Sequence, residues 1–241
     1  MSRTAYYYQT KKSDDEVVKA LSALTDKHKR WGFPKCFQWL RKNGFSWNHK
    51  RVYRIYRENG FTLTTRKKKR YPVRLPEKLA VPMMKGECWS IDFMSDSLSN
   101  GVRFRTFNVL DDFNREALGI DVNVGMPSSR VTRYLDQIAS EYGYPRKIRC
   151  DNGPEFLSKT FINWANQHRI DIDYIEPGSP YQNGFIERFN RSYREEILDL
   201  HLFDNLKEVR FLTTEWLEVY NYERPHKSLG YLTPKEFSQL N

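Results

Sequence analysis

The sequence predicts an α/β domain with a mixed sheet, preceded by a small all-α domain. Helical patterns fill residues 14–60, and strand-like runs begin only after residue 87. Three strand-like runs then lead into an alternation of helix and strand, an order that favours a sheet with helices on both faces. The net charge changes sign between the two parts, since residues 1–86 carry +16 and residues 87–241 carry −6.

This division of charge is more informative than the total of +10. Residues 1–86 contain 22 Lys and Arg but only 6 Asp and Glu. A basic front part joined to a differently built domain is typical of a protein that binds nucleic acid. A basic surface that only confers solubility is the alternative, and it would account better for charge spread evenly along the chain.

Composition also indicates a compartment. No apolar run in the 241 residues is long enough to span a membrane, and the N-terminus has no signal-peptide core. We therefore expect a cytoplasmic protein. Cys36, Cys88 and Cys150 are few and scattered, which fits a reducing compartment. We expect all three to be free thiols packed as small apolar residues.

Residues 1–65 are predicted to form a helix-turn-helix domain. Its helices are expected from Asp14 to about Lys29, from Pro34 to Asn43, and from Asn48 to Gly60. Asp14 and Asn48 are expected to cap the first and third of them, as Ser128 is expected to cap a helix later in the chain. Two short helices joined by a tight Gly-containing turn place the second helix in the DNA major groove. The third helix carries a basic stripe that we expect to bind DNA, formed by Lys50, Arg51, Arg54 and Arg57. A basic but passive helical subdomain is the alternative.

Residues 66–86 are predicted to be a basic linker. They begin with five consecutive cations, Arg66, Lys67, Lys68, Lys69 and Arg70. Such cations repel each other and disfavour a packed structure, and the prolines that follow favour an extended path. We expect these residues to contact DNA phosphates, which adds affinity but carries no sequence information. A solvated linker without contacts is the alternative.

The α/β domain is predicted to span residues 87–241. Strands are expected at about 88–95, 104–111, 116–124, 147–150 and 173–175, and helices from Ser128 to about Tyr142, from about Pro154 to His168, from near Tyr181, and from about Leu206 to Tyr222. Turn signals between the first three strands favour antiparallel hairpins. The pattern Thr233-Pro234-Lys235-Glu236 is a capping box that opens a last short helix.

Three acidic residues suggest a metal site. Asp92 lies inside an apolar strand, where an unpaired carboxylate is costly. Asp151 follows a strand, at the kind of sheet edge where ligands of α/β proteins usually bind. Glu187 comes after thirty-five further residues, on the polar face of a helix. Taken singly, Asp151 fits a turn former and Glu187 a solvated helix face. Their order and spacing favour a site for a hard divalent cation, which takes oxygen ligands.

These residues and their neighbours resemble a known family. Asp92, Asp151 and Glu187 match the Asp-Asp-35-Glu triad of the retroviral-integrase and transposase superfamily. The segments Trp89–Phe93, Asp151–Phe156, Gly184–Asn190 and Asn221–Pro234 resemble the integrase-like transposases of bacterial insertion sequences, encoded by the second of two overlapping reading frames. The resemblance covers nearly the whole chain. It implies a ribonuclease-H-like core with a mixed five-stranded sheet.

The resemblance also implies a function. It is that of a DNA transposase, which binds the terminal inverted repeats of an insertion sequence and catalyses metal-dependent strand cleavage and strand transfer. Asp92, Asp151 and Glu187 would bind two Mg²⁺ ions, for which Mn²⁺ would substitute. No zinc is expected, because the sequence contains no Cys-x-x-Cys pair.

The implied partners are DNA and further protein chains. Duplex DNA would be bound as terminal repeat and as target, in the bacterial nucleoid, by a homo-oligomer of at least two chains. An upstream reading-frame product is a further partner in the resembled family. Beside the triad, we expect Asn183, Arg191 and Arg194 to contact DNA.

Two other functions stay open at this point. One is a ribonuclease-H-like nuclease that only hydrolyses, against which the helix-turn-helix argues. The other is a DNA-binding regulator with an inactive core, against which the intact triad argues.

Overall fold

The computed structural model describes residues 13–64, 81–176 and 180–240. Contacts within the chain divide it into two compact units, residues 1–69 and 70–241. The predicted domain boundaries at residues 65 and 86 stay a prediction.

The described part of the N-terminal unit is helical. It contains α1 (Asp15–Lys27), α2 (Phe33–Lys42) and α3 (His49–Glu58). Asn48 caps α3, as predicted, because its side chain accepts a hydrogen bond from the backbone amide of Lys50 at 2.8 Å. Gly44 follows α2 with a φ of 86°, a left-handed conformation that favours glycine at a helix end. Apolar side chains from all three helices are buried, including Val17, Leu21, Cys36, Leu40, Val52 and Ile55.

The predicted cap of α1 is wrong. Asp14 precedes the helix, but its carboxylate makes no capping hydrogen bond. The hydroxyl of Ser13 instead accepts a hydrogen bond from the backbone amide of Asp15 at 3.1 Å. The Asp14 carboxylate is bound elsewhere, by two arginines of α3.

The C-terminal unit is built on a mixed five-stranded sheet, as predicted. Its strands are β1 (Cys88–Ser97), β2 (Arg103–Asp111), β3 (Ala117–Asn123), β4 (Lys147–Cys150) and β5 (Asp171–Tyr174), in the order β3-β2-β1-β4-β5. The first three strands form antiparallel hairpins, whereas β4 and β5 run parallel to β1. Parallel neighbours need a crossover connection, usually a helix, and a helix joins β1–β3 to β4 here.

Five helices accompany this sheet in the described residues. They are α4 (Ser128–Tyr142), α5 (Lys159–Gln167), α6 (Gly184–Glu196), α7 (Leu206–Glu218) and α8 (Pro234–Leu240). One buried cluster joins Ile91 and Phe107 of the sheet to α4 and α5. A second cluster joins Leu110 and Ile120 to α6 and α7 on the other face. The predicted arrangement of helices on both faces is therefore confirmed.

One predicted cap and one predicted helix start are wrong. The helix α4 begins at Ser128, as predicted, but Ser128 does not cap it, because its hydroxyl donates to the carbonyl of Glu155 at 2.8 Å. The helix expected from Pro154 begins only at Lys159, where Ser158 accepts a hydrogen bond from Phe161 at 3.2 Å and acts as the cap. Pro154 lies in a preceding turn.

Two further helix ends carry non-α turns. Residues Pro180–Asn183 form a 3₁₀ turn before α6, so the helix expected near Tyr181 begins as an α-helix only at Gly184. Such 3₁₀ turns are frequent at helix termini. α7 ends in a π-helical turn, Val219–Glu223. The predicted capping box of α8 is confirmed by reciprocal bonds between Thr233 and Glu236, at 2.8 and 3.2 Å.

Candidate active site

Asp92 lies on the face of β1 that is covered by α6. Its neighbours Ile91 and Phe93 belong to the opposite face, because successive strand side chains alternate. The half-buried carboxylate of Asp92 is held at both oxygens. Oδ1 accepts from the backbone amide of Phe93 at 2.8 Å, and Oδ2 accepts from the side-chain amide of Asn190 at 2.7 Å. Asp92 is therefore held in one orientation.

Asp151 follows β4 directly, at its carboxyl end. β4 pairs with β1 in a parallel register that matches Ser90 with Arg149. Continued by two residues, this register places Asp151 opposite Asp92. The Asp151 Oδ1 accepts a hydrogen bond from the backbone amide of Gly153 at 3.0 Å, which closes the turn after the strand. Two of the three predicted ligands thus lie on adjacent central strands.

Glu187 is in the first turn of α6, which packs on β1 and β2. Its side chain is exposed, whereas Ile186 and Phe189 are buried in the core. One turn further along the helix, Asn190 contacts Asp92. The helix therefore presents Glu187 at the same side of the sheet as the two aspartates.

Electrostatics connect the three acids. Burial above all, together with the charges of Asp151 and Glu187, raises the pKa of Asp92 to about 6, against the hydrogen bonds from Phe93 and Asn190. Carboxylates that share a site in this way disfavour each other's charged form. The three acids are therefore near enough to interact, and they hold excess negative charge.

The donor set fits a hard divalent cation in its chemistry. Such cations take carboxylate oxygens and keep several waters. Within residues 13–64, 81–176 and 180–240, no group of three or more His, Cys, Asp or Glu side chains is already spaced to hold a metal. Glu187 is exposed, so its side chain is free to change rotamer. The assignment of the three residues as metal ligands stays a prediction.

Asn190 and Asn108 were missed by sequence reasoning. Asn108 is the cross-strand partner of Asp92 on β2. It donates to Oδ1 of Asn190 at 2.7 Å, and Asn190 donates in turn to Asp92. The helical spacing of Asn190, three residues after Glu187, was an available signal, because residues three apart share a helix face. The role of Asn108 depends on strand register, for which the sequence held no direct signal.

A second missed pair borders the site. Arg105 on β2 forms an ion pair with Glu155, which lies four residues after Asp151. The guanidinium of Arg105 also lies over the ring of Phe93, 4.2 Å from its centroid. Phe93 in turn stacks on Phe156 at 5.0 Å. These contacts fasten the turn that carries Asp151 to the sheet.

The predicted basic stripe of α3 is divided in the structure. Lys50, Arg54 and Arg57 are exposed, whereas Arg51 is partly buried. Arg51 and Arg54 both bind the carboxylate of Asp14, at 2.8 and 2.6 Å. DNA contact by any of the four stays a prediction. Tyr53, which was not predicted to bind DNA, lies on the same helix between Arg51 and Arg54 in sequence and is 44% exposed.

The three residues beside the triad that were predicted to contact DNA differ in exposure and in their partners. Arg191 is exposed. Arg194 donates to the carbonyl of Ser95 at 2.9 Å and pairs with Asp96 at 3.4 Å. Asn183 is only 4% exposed. Contact of the three residues with DNA stays a prediction.

Five predicted contacts of the basic linker lie outside the described residues: Arg66, Lys67, Lys68, Lys69 and Arg70.

The three cysteines lie in the part of the chain that the structure describes. All three are buried free thiols, as predicted. Burial raises the pKa of the thiols of Cys36 and Cys88 to about 12, and also raises the pKa of Cys150. In the described ranges, every helix is too short or too polar to cross a bilayer.

Family models match both parts of the chain. Models described as "Integrase core domain" match residues 82–180 and 168–234. A model described as "HTH-like domain" matches residues 12–69.

Proteins of bacterial insertion elements are similar over most of the chain. The IS476 uncharacterized 39.2 kDa protein of Xanthomonas euvesicatoria is 42% identical over 226 residues, which cover 92% of this chain and 65% of that protein. The IS407 uncharacterized 31.7 kDa protein of Burkholderia multivorans is 39% identical over 240 residues, which cover 99% of this chain and 87% of that protein. The putative transposase InsK for IS150 of Escherichia coli is 24% identical over 253 residues, which cover 98% of this chain and 89% of that protein. The chain thus spans a little under two thirds of the IS476 protein and most of the IS407 protein.

A similar fold occurs in a solved structure. A chain in the cryoEM structure of the simian T-cell lymphotropic virus intasome, in complex with PP2A regulatory subunit B56 gamma, has a TM-score of 0.56 and 16% identity. The match covers 92% of this chain and 74% of that chain. At this level of identity the likeness concerns the fold alone.

Proposed function

Because the chain belongs to the integrase-core transposases of bacterial insertion sequences, we propose that it binds the terminal inverted repeats of its element and catalyses DNA cleavage and strand transfer. One observation above all supports this proposal. Asp92 lies on β1 and Asp151 directly follows the adjacent parallel strand β4, while Glu187, whose charge acts on Asp92, lies on the helix that packs on β1. Three coupled carboxylates in a DNA-binding chain suit metal-dependent chemistry on phosphodiesters.

Membership of the integrase-core family supports a divalent-metal requirement. We propose that Asp92, Asp151 and Glu187 hold two Mg²⁺ ions, that Mn²⁺ replaces them, and that no zinc is needed. A bound metal pair activates the attacking oxygen and stabilises the leaving oxygen in phosphoryl transfer. The attacking group would be water in cleavage and a DNA 3′-hydroxyl in strand transfer.

The side chains around the triad would act by positioning. Asn190 orients the Asp92 carboxylate by donating to Oδ2, while Phe93 donates its backbone amide to Oδ1. The ion pair of Arg105 with Glu155 holds the turn after Asp151 against the sheet. Fixed ligands bind a cation without a further loss of side-chain freedom, which favours a precise site.

The N-terminal unit would supply most of the DNA affinity. Its α3 carries the exposed cations Lys50 and Arg57, and the helix-turn-helix arrangement places such a helix in the major groove. Residues 1–86 carry a net charge of +16 and the remainder −6, so phosphate binding falls mainly to the first part. Arg191 and Arg194 would hold DNA near the triad, and so would the linker cations of residues 66–70.

Joining two element ends requires two catalytic cores. We therefore propose a homo-oligomer of at least two chains on DNA, which acts in the cytoplasm on nucleoid DNA. An upstream reading-frame product would be a further partner. Size measurement of active complexes on terminal-repeat DNA tests the assembly, and an active monomer would refute it.

A strand-transfer assay tests the chemistry. The full chain is incubated with labelled terminal-repeat DNA, a target duplex and Mg²⁺ or Mn²⁺, and joined products are separated from cleaved ones. A transposase yields both products. Cleavage without joining would favour a nuclease that only hydrolyses, and binding without either product would favour a DNA-binding regulator.

Substitution of the triad tests the site. Asp92→Asn, Asp151→Asn and Glu187→Gln keep side-chain shape but remove charged ligands, so each should abolish both products and leave terminal-repeat binding nearly unchanged. Asp171→Asn is the matched control, because Asp171 is an exposed acid at the start of β5. Near-normal strand transfer by any triad variant would remove that residue from the site.

A further inference from the structure

The carboxylate of Asp14 connects α1 to two arginines of α3. Its Oδ1 accepts from Nε of Arg51 at 2.8 Å, and its Oδ2 accepts from Nη2 of Arg54 at 2.6 Å. The carbonyl of Ser13 accepts a third bond, from Nη2 of Arg51 at 2.7 Å. One acidic residue thus binds two of the four side chains that were expected to bind DNA.

This use of Asp14 differs from the usual use of an acid at a helix start. An aspartate before a helix normally accepts from backbone amides of the first turn, but the side chain of Asp14 makes no such bond. The hydrogen bonds from Arg54 and Arg51 hold the pKa of Asp14 below its ordinary value. The carboxylate is therefore charged at neutral pH, and the bonds to both arginines are charge-assisted.

The pairing with Asp14 changes which N–H donors of α3 are available to DNA. Arg54 also binds Glu58 through Nη1 at 2.6 Å, so both ends of its guanidinium fork face carboxylates. Arg51 is 26% exposed and uses Nε and Nη2 internally, whereas Arg54 is 49% exposed and is held by its two carboxylate partners. An arginine has five N–H donors, so each guanidinium keeps some for DNA, but in a fixed direction. Neither can swing freely towards whichever phosphate is nearest.

We propose that Asp14 is a specificity-determining residue of the N-terminal unit, a role that rests on DNA recognition by α3 as proposed above. It withholds Arg51 and Arg54 from sequence-independent phosphate contacts and aims their remaining donors at one arrangement of acceptors. A duplex with matching base edges satisfies these donors, whereas other DNA gains only the contacts of the remaining cations. Asp14 acts through the arginines and is a positioning residue.

Binding of the full chain to two duplexes tests this role. One duplex holds the terminal inverted repeat of the element that encodes the chain, and the other is a shuffled sequence of equal length and composition. Both are titrated with wild type and Asp14→Asn over a range of salt concentrations. Each additional phosphate neutralised should add roughly −0.9 to the log–log salt slope, so two released arginines should steepen the slope on shuffled DNA by up to about 2.

The variant should bind shuffled DNA about tenfold more tightly at low salt, because two further cations become available to phosphates. Its preference for the terminal repeat should shrink by at least the same factor. Loss of structure would instead weaken binding to both duplexes, so a rise on shuffled DNA separates the two causes.

Two further variants keep the result decisive. Glu16→Gln removes an exposed charge from the same helix turn without touching either arginine, so its salt slope should equal that of wild type. In an Arg51→Ala, Arg54→Ala background, Asp14→Asn should change the slope no further. The proposal is overturned if Asp14→Asn behaves like Glu16→Gln, or if it weakens binding to both duplexes in the folded chain.

The same titrations distinguish this proposal from the function on which it rests. A wild-type chain without preference for the terminal repeat would refute repeat recognition and the role of Asp14 together. A wild-type preference that persists unchanged in Asp14→Asn would refute the role of Asp14 alone.

Discussion

The side-chain amide of Asn190 donates a hydrogen bond to Oδ2 of Asp92 at 2.7 Å. This contact joins α6 to β1 across 98 residues of sequence, one helical turn after Glu187. Asn108 completes the arrangement by donating to Oδ1 of Asn190, which fixes the direction of the Asn190 amide. The carboxylate that begins the triad is therefore oriented by the helix that carries the last member of the triad.

Replacing Asn190 should impair catalysis more than stability. In Asn190→Ala the Asp92 carboxylate loses one of its two donors, and losing such a supporting contact typically reduces metal affinity or activity by about 10- to 100-fold. Strand transfer measured against Mn²⁺ concentration should show a rise in the metal requirement. Binding to terminal-repeat DNA serves as the control and should be unchanged. An unaltered metal requirement would show that Asn190 does not support the site.

Activity should fall as the pH drops through about 6. Burial and the neighbouring acids raise the pKa of Asp92 to about this value, so protons compete with metal for its carboxylate below it. The expected sign is a metal affinity that increases with pH and levels off above about 7. Metal titrations of the full chain from pH 5 to 8 measure this dependence. Constant affinity across this range would contradict the assigned role of Asp92.

The free energy of unfolding of the metal-free protein should show the opposite dependence on pH, falling as the pH rises. A carboxyl group whose pKa is raised by folding binds more protons in the folded state, so its contribution to the free energy of unfolding declines as pH rises from about 4 to 6. At pH 7.5, Asp92 should destabilise the fold by on the order of 3 kcal/mol relative to low pH. Urea unfolding of wild type and Asp92→Asn should show this pH-dependent difference. Parallel stability curves for the two proteins would refute it.

A methyl group at Gly153 should disturb Asp151. A Cβ at this position would lie 2.9 Å from Oδ1 of Asp151, closer than real side chains approach. Gly153→Ala should therefore displace the carboxylate and reduce strand transfer by about tenfold or more, since small misplacements at catalytic sites are costly. Gly125→Ala is the matched control, because a Cβ there meets nothing within 4 Å. Equal activity in the two variants would indicate that the position of Asp151 is unimportant.

The linker cations should contribute affinity without selectivity. Replacing Lys67, Lys68 and Lys69 by Ala should flatten the log–log salt slope by up to about 3 and weaken terminal-repeat and shuffled duplexes equally. Contacts to phosphate carry no sequence information, which is why both duplexes should respond alike. Fluorescence anisotropy of the full chain over several salt concentrations measures both quantities. A loss confined to the terminal repeat would assign base recognition to these lysines.

Local signals in the sequence predicted much of the fold. Strand-like runs separated by turn signals indicated the first three strands, and the short-range caps at Asn48 and Thr233 were confirmed because each depends on neighbours within three residues. The order of strands and helices predicted a mixed sheet with both faces covered. The failures were also local: Ser128 and Asp14 have cap residue types, yet their side chains bind groups far along the chain.

The sequence by itself determined the residue types and spacing of Asp92, Asp151 and Glu187, and the order of strands and helices along the chain. Only the tertiary structure decided what surrounds them. The bonds from Asn108 to Asn190 and from Asn190 to Asp92 span 82 and 98 residues, and Asp14 lies 37 and 40 residues from its arginines. Hydrogen bonds act over about 3 Å, so a polar side chain pairs with whichever partner packing brings within reach. That choice is made when helices settle on the sheet and on each other, which no pattern of neighbouring residues records.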